Sequence, residues 1–589
     1  MGRQETLGFI LIFVVLMAWM WMNTPTPPPP QPQPTEAIAD TVQKVVPGKK
    51  EATIPEVDNV GEFFSRRAQG VEKILIIDTD LFTAEISSKG GRIRKWELKK
   101  FKTWRGDPVQ LVDFDSGGDY SLLFTTSDGK FVNTRHLYFD SDYRPWQRVR
   151  LSGDETFEVQ LTLPSANNGR LVKTFRFKNG EYGFESEYTF AGLANVIANY
   201  EYQVVWENGL RYAEENSVDE SAFAAAYVHA GGELTSLDAT HAGQPVERNM
   251  AGSIDWVATR NKYFGLAIMP QPGMSEGAFL GGEQRPMPDR GVYEQYNVAV
   301  KMPFRATLEE KASFRVFLGP LEYGLLASYD NNLESIMDLG WVWIVRPISV
   351  YVMLPLLSFL HWFIPNWGIV IIVFSIIIKI VLHPLTKSSM KSMKKMQALQ
   401  PMMNEIREKH KDDPAKMNQA IMNLYKEYGV NPAGGCLPLL LQFPILIALY
   451  NVFRAAIELR QSSFVWWITD LSTPDTIVSL PFELPLVGMK NVSGLALLMG
   501  ITMYIQQKMT IKDPRQKMMV WMMPILMTLL FNAFPSGLNL YYFVFNLLSI
   551  GQQMLMSKQD NEPLRKVDPK KRQQGIFGRV TRDLPRFKR

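Results

Sequence analysis

Two hydropathy rhythms divide the chain. Between about residues 72 and 325, apolar and polar positions alternate in short runs, the period of half-buried strands. Glu158-Val159-Gln160-Leu161-Thr162-Leu163 alternates in this way. So does Leu171-Val172-Lys173-Thr174-Phe175-Arg176-Phe177, which meets the turn pair Asn179-Gly180 before Phe184 to Phe190 returns with the same period. Many such runs joined by Gly, Asn and Asp predict a large antiparallel β-sandwich over 61–325. Farther on the apolar runs lengthen. Segments 366–385, 437–457, 494–509, 518–534 and 538–556 each read as a membrane helix, and 341–364 is long enough as well. At the other end, Leu7 to Met22 is unbroken and apolar, with no small-x-small cleavage pattern after it. It is expected to be an uncleaved signal anchor over 1–23, followed by a Pro-rich linker over 24–60.

Charge decides which runs cross. Nine Lys and Arg residues lie in 386–433, four in 508–517 and eleven after 556, whereas 458–493 holds two against four acids. The positive-inside rule sends the three basic stretches to the cytoplasm. Were 341–364 a span, the basic loop 386–433 would fall on the wrong side. Residues 339–364 are therefore expected to form an interfacial amphipathic helix, for which Arg346, Pro347, Pro355, His361 and several Trp residues are suited. The expected fold is a membrane α-helical bundle of six transmembrane helices plus the sandwich, with both termini cytoplasmic and the sandwich outside. A net charge of only +4 argues against a nucleic-acid binder, and the single cysteine, Cys436, excludes an intramolecular disulfide.

The basic loop itself predicts a helical hairpin over 387–430. One helix runs from about Lys387 to His410. In the second, Asp413 is placed to cap, Pro414 opens the helix and Gly429 stops it. Met390, Met393, Met396, Met402 and Met403 read either as seam fillers or as a pliable surface for varied apolar partners. A basic tail follows over 557–589.

Lys379 stands inside a predicted span, where a charge costs at least a few kcal/mol unless it meets water or a partner. Ser375 and His383 lie four residues to either side, on the same helix face. Polar residues recur on the other spans: Gln442; Thr502 and Gln506; Thr528 and Asn532; and Asn539, Tyr542, Asn546, Ser549 and Gln553. The five later spans contain no Asp or Glu to pair with a cation. Snorkelling to the interface is the bland account of Lys379; a shared polar cavity is the other. No nucleotide loop, metal-ligand spacing or nucleophile motif is present, and His136, His229 and His241 are scattered. Neither a catalytic centre nor a cofactor or metal is expected. A transporter or channel using the cavity, and a sugar-processing outer domain, are the competing readings.

Several quoted pieces resemble the YidC family of membrane protein insertases in its Gram-negative form. They are Asn366-Trp367-Gly368, His383-Pro384-Leu385-Thr386, Asn431-Pro432-Ala433-Gly434-Gly435-Cys436-Leu437-Pro438, Gln442-Phe443-Pro444 and Phe534-Pro535-Ser536-Gly537-Leu538 with Tyr541-Tyr542. The turn Ser87-Ser88-Lys89-Gly90-Gly91-Arg92 is similar to the family's. The resemblance implies a periplasmic β-sandwich, an interfacial helix and an insertase core over 365–556 with five helices around a groove open to cytoplasm and lipid. It implies that Lys379 is the groove cation, with client contacts near Ser375, Tyr541 and Tyr542. The family's usual residue there is arginine, so the planar five-donor fork is replaced by a point charge. Implied partners are nascent membrane proteins, the SecYEG translocon and the ribosome, in the bacterial inner membrane; the basic tail independently suits either rRNA or anionic lipids.

Overall fold

The computed structural model describes residues 60–288, 291–341, 343–430, 437–484, 489–511, 517–559 and 566. The expected anchor, the linker as far as 59, Cys436 and nearly all of the basic tail lie outside the described residues. Two compact units divide between Met337 and Asp338.

The first unit is the sandwich. Its eight-stranded sheet runs, in spatial order, Glu233–Leu237, Ala225–Ala230, Trp256–Arg260, Phe264–Pro270, Glu309–Pro320, Phe184–Ala191, Arg170–Lys178 and Thr156–Pro164. A six-stranded sheet runs Val246–Ala251, Gly277–Met287, Gly291–Pro303, Ile197–Trp206, Ser121–Thr126 and Phe131–Asn133. A five-stranded sheet is built on Ile74–Asp78, which pairs antiparallel with Phe82–Ser87 and parallel with Gln147–Arg150. The predicted alternation is realised: Val159, Leu161 and Leu163 point inward, as do Phe175, Phe177 and Phe184. The layers interlock through aromatic rings. Phe190 meets Tyr202 of the six-stranded sheet at 4.7 Å, and Trp96 stacks on Phe82 and reaches Phe184.

One inward position carries a lysine. Lys173 takes its turn in the alternation and is 1% exposed. Its Nζ donates to the Tyr120 carbonyl at 2.7 Å and lies 4.4–5.2 Å from the ring centres of Tyr120, Phe175 and Tyr188. The sandwich also ends beyond 325. Leu333 and Ile336 are buried, Trp256 donates to the Asn331 carbonyl, and Arg260 donates to the Ile336 carbonyl at 2.6 Å. These bonds hold the following helical turns onto the sheet.

The second unit is helical. Helix α1 (Val345–Phe363) is, among the described residues, the one helix long and apolar enough by itself to cross a membrane. A π-helical stretch, Ser349–Met353, precedes Pro355, whose missing N–H an α-helical ladder would leave unmatched. Helix α1 buries Val345, Val350, Met353, Leu357 and Leu360 and exposes Tyr351, Phe359, Trp362 and Phe363.

Helix α2 (Trp367–Val381) is capped by the Asn366 side chain, which accepts from Ile369 N. It stops short of the expected 385. Helix α3 (His383–Ala398) then starts with Pro384, and the pair passes as membrane-spanning only together, bent by 65°. The predicted hairpin helix is likewise two pieces, α3 and α4 (Gln400–Lys409), broken before Pro401. Helix α5 (Pro414–Tyr428) has the expected caps: Asp413 accepts from Lys416 N, and Gly429 turns left-handed at φ 63°. Then come α6 (Leu437–Ala455), α7 (Gly494–Thr510), α8 (Lys517–Phe531) and α9 (Ser536–Gln559). Before α7 lies an antiparallel ribbon, Thr476–Leu484 with Met489–Ser493, in a stretch for which the sequence pattern named no element.

Candidate functional site

Helix α9 packs against α2 and α7 and sets the site. Lys379, in the last turn of α2, is 9% exposed. Its Nζ donates to Ser549 Oγ on α9 at 2.6 Å. Ser549 in turn donates to the Phe545 carbonyl at 2.7 Å, and the Phe545 ring lies 4.5 Å from the ammonium. The cation is therefore held by one hydroxyl and one ring face. No acid pairs with it among the described residues, which agrees with the composition of the spans.

The expected single face is broken: Ser375 and Lys379 lie on α2, whereas His383 opens α3 beyond the bend. Ser375 is buried and donates back to the Ile371 carbonyl of its own helix at 2.7 Å. His383 is exposed; Gln552 donates to its Nδ1 at 3.0 Å and also to Thr386 Oγ1 at 3.3 Å. Tyr541 is fully buried among Phe374, Tyr542 and Phe545. Four buried polar atoms on α9, Asn539 Oδ1, the Tyr541 hydroxyl, Asn546 Nδ2 and Gln552 Oε1, have no hydrogen-bond partner among the described residues. Such atoms are costly to leave unpaired, so they mark where an incoming polar group gains most.

The remaining predicted residues are spread. Thr502 and Thr528 donate to the Met499 and Pro524 carbonyls of their own helices, at 2.8 Å each. Thr528 lies where α8 meets α7, since a side chain at Gly500 would run into it. Gln442 and Gln506 are half-buried, and neither bonds Lys379. Asn532 fastens the ribbon instead: its Oδ1 accepts from Ser493 N and its Nδ2 donates to the Asn491 carbonyl. Of the methionines, Met403 sits in the hairpin seam with Leu399, Leu424, Tyr428 and Val430, and Met396 and Met402 pack on it. Met390 and Met393 face a separate cavity.

Three groups were missed. Phe545, one turn before Ser549, was passed over because a phenylalanine in a membrane helix carries no signal by itself. Gln552 has the same difficulty beside Gln553, which the helical spacing favours. The third is Asp475, buried near the start of α7. It accepts from Trp467 Nε1 at 2.8 Å, from Leu495 N at 2.8 Å and from Ser493 Oγ at 2.5 Å. In the sandwich, His229 pairs with Asp255 at 2.7 Å and stacks on Trp256. No group of three or more potential ligands is placed to hold a metal among the described residues.

Two family models match: "YidC periplasmic domain" over residues 75–351 and "60Kd inner membrane protein" over 359–563. The chain is 39% identical to the membrane protein insertase YidC of Chlorobaculum parvum, over 94% of each chain. It is 37% identical to that of Chloroherpeton thalassium, over 97% of this chain and 98% of the relative. A crystal structure of an active YidC insertase aligns over 82% of this chain and 94% of that one, at 19% identity and a TM-score of 0.34. Identity at this level along almost the whole length carries both units at once, and the chain belongs to the YidC family of membrane protein insertases.

Proposed function

We propose that this protein, an inner-membrane insertase with a periplasmic domain, receives the polar outer tails of nascent membrane proteins along the α2–α7–α9 interior. The client's apolar segment leaves into lipid. The observation that carries this reading is Lys379, a buried cation bonded to a single serine of α9, the helix that also carries the unpaired Tyr541 hydroxyl and Asn546 Nδ2. A tail bearing carboxylates and backbone carbonyls satisfies all three. Insertion needs no nucleotide, because burying the client's apolar surface yields roughly 25 cal/mol per Å². The protein is not an enzyme; no bond in the client is made or broken.

Six spans with both termini in the cytoplasm fit the charge distribution. On this reading α1, whose apolar face is exposed, lies along the outer interface. The basic tail is suited to the ribosome or to anionic lipid, and work alongside SecYEG is part of the same proposal.

The test is insertion of a short-tailed client into vesicles depleted of the protein and resupplied with variants. Lys379→Ala and Lys379→Glu lower insertion, while Lys379→Arg retains it. Normal insertion after depletion would sink the reading. Solute flux through liposomes that Lys379→Ala abolishes would favour a channel or transporter instead.

A further inference from the structure

The starts of α2 and α7, at the opposite end of the bundle from the hairpin, carry a surface that takes no part in the Lys379 site. Residues 463–467 are fastened to the start of α2: Asn366 donates to the Ser463 carbonyl at 3.5 Å, and a side chain at Gly368 would run into Phe464. Trp466 stacks on Trp467, whose Nε1 donates to Asp475. Asp475 also accepts from Ser493 Oγ and Leu495 N, where the ribbon passes directly into α7. Asn532, just beyond α8, holds the ribbon's second strand. The ribbon is thus fixed to the bundle and is no free loop.

Its outward side chains are apolar. Val478 is 52% and Phe482 58% exposed, and Trp466 is 86% exposed. A two-stranded ribbon is marginal in water by itself, and one with apolar side chains outward and open edges invites pairing with other chains. Some surface has to cover it, and two features name that surface. The first is length. Helix α7 has 17 residues, about 25 Å of rise, against a hydrocarbon layer of about 30 Å. Lys508 in its last turn marks the cytoplasmic boundary, so the shortfall lies at the outer end, where Ser493 leads straight into the helix. The lipid boundary therefore reaches the ribbon. The second is hydrogen bonding. Open strand edges are not tolerated within hydrocarbon, so the ribbon lies at headgroup level with its apolar side chains dipping inward. That is the depth at which Trp side chains concentrate.

We propose that the ribbon and Trp466 form a lipid-docking surface, seated on the outer leaflet at the boundary between phospholipid headgroups and acyl chains. Through Asp475 and Asn532 this surface sets the depth at which the outer ends of α7 and α8 are held. The proposal rests on the topology given above, which puts 458–493 outside, and it adds a lipid partner at a place apart from the client's route.

The experiment uses the full-length protein with its one cysteine removed by Cys436→Ser. A bimane fluorophore is attached through Val478→Cys or Phe482→Cys, with Leu308→Cys on the sandwich, 90% exposed, as control. The proteins are reconstituted into vesicles of phosphatidylethanolamine with a minority of phosphatidylglycerol, brominated near the top of the acyl chains. The expected result is quenching by the brominated lipid several-fold stronger at 478 and 482 than at 308, and quenching by aqueous iodide several-fold weaker. Iodide reaching 478 and 482 as readily as 308 would overturn the proposal. Shielding from both quenchers would overturn it as well, since a protein surface would then cover the ribbon. As a second measurement, Val478→Asp with Phe482→Asp lowers lipid quenching of a bimane carried by Ile477→Cys several-fold; unchanged quenching also overturns the surface. Sidedness is read separately, by labelling Lys490→Cys with an impermeant maleimide in spheroplasts. If Lys490→Cys is labelled but the quenching fails, the docking surface alone is wrong; if it is not labelled, the topology fails and the proposal with it.

Discussion

Removing Ser549 separates two roles that Lys379 could have. In one, the lysine is a strut tying α2 to α9; in the other, it is a receptor for client tails that Ser549 merely holds at rest. Ser549→Ala deletes the hydroxyl 2.6 Å from Nζ and leaves the Phe545 ring at 4.5 Å. A hydrogen bond to a charged group is worth about 1.5–3 kcal/mol net, while the remaining cation–π contact keeps about 0.5–2 kcal/mol. The resting bundle should therefore lose roughly 2 kcal/mol, or on the order of 5 °C of thermal stability for a unit of this size. Insertion should behave differently. A client tail no longer competes with Ser549, so the yield of a short-tailed client is held or raised, while Lys379→Ala lowers it. Melting in detergent and insertion into depleted vesicles, measured on both single variants and the double variant, form a complete cycle. If Ser549→Ala reduces insertion as much as Lys379→Ala, and the double variant is no worse than either, the lysine is a strut and the receptor argument fails.

Three further outcomes follow from the packing. Gly500→Ala pushes a methyl group into Thr528 and should cost about 1–3 kcal/mol; adding Thr528→Ala should recover most of the lost melting temperature, and failure to do so would remove that contact as the cause. Asp475→Ala leaves three donors unmatched at the start of α7 and should cost about 2–4 kcal/mol, read as faster hydrogen exchange in the ribbon and first turn of α7. In the sandwich, burial holds the Lys173 ammonium well below its usual value of 10.5. The unfolded chain thus binds the proton that the folded one releases, so this residue makes stability rise with pH up to about 10.5 and fall toward neutrality. Lys173→Met should flatten that slope without destabilising the domain at pH 7; unchanged pH dependence in denaturant melts of the two proteins would refute it.

Much of the fold was legible because period and charge are local signals. Residues 158–163 show their buried face in every second letter, and Asp413 with Gly429 marks the bounds of α5. The errors have physical causes. The span expected to reach 385 ends at Val381 because Pro384 begins a new helix at an angle, and hydropathy is blind to direction. The ribbon before α7 was missed because one of its fasteners, Asn532, is distant in sequence. At the site, four-residue spacing put Ser375, Lys379 and His383 on one face, but the helix ends at Val381 and His383 opens the next one. The spacing also did not reveal that Ser375 bonds its own helix while Lys379 bonds α9. Spacing within a helix says which side chains share a side, and the neighbouring helix decides what they meet.

Helix α9 has 24 residues, about 36 Å of unbroken rise. Near its start Ser536 donates to the Asp470 carbonyl and Asn539 to the Phe531 carbonyl. In its middle Ser549 holds Lys379, and near its end the Met556 carbonyl receives Lys394. A continuous helix turns as one body, so these three attachments cannot be adjusted separately. A rotation large enough to free Lys379 also loads the loop at one end and the hairpin at the other. The helix is in this sense a shaft, and occupancy of its middle can be sensed mechanically at either end.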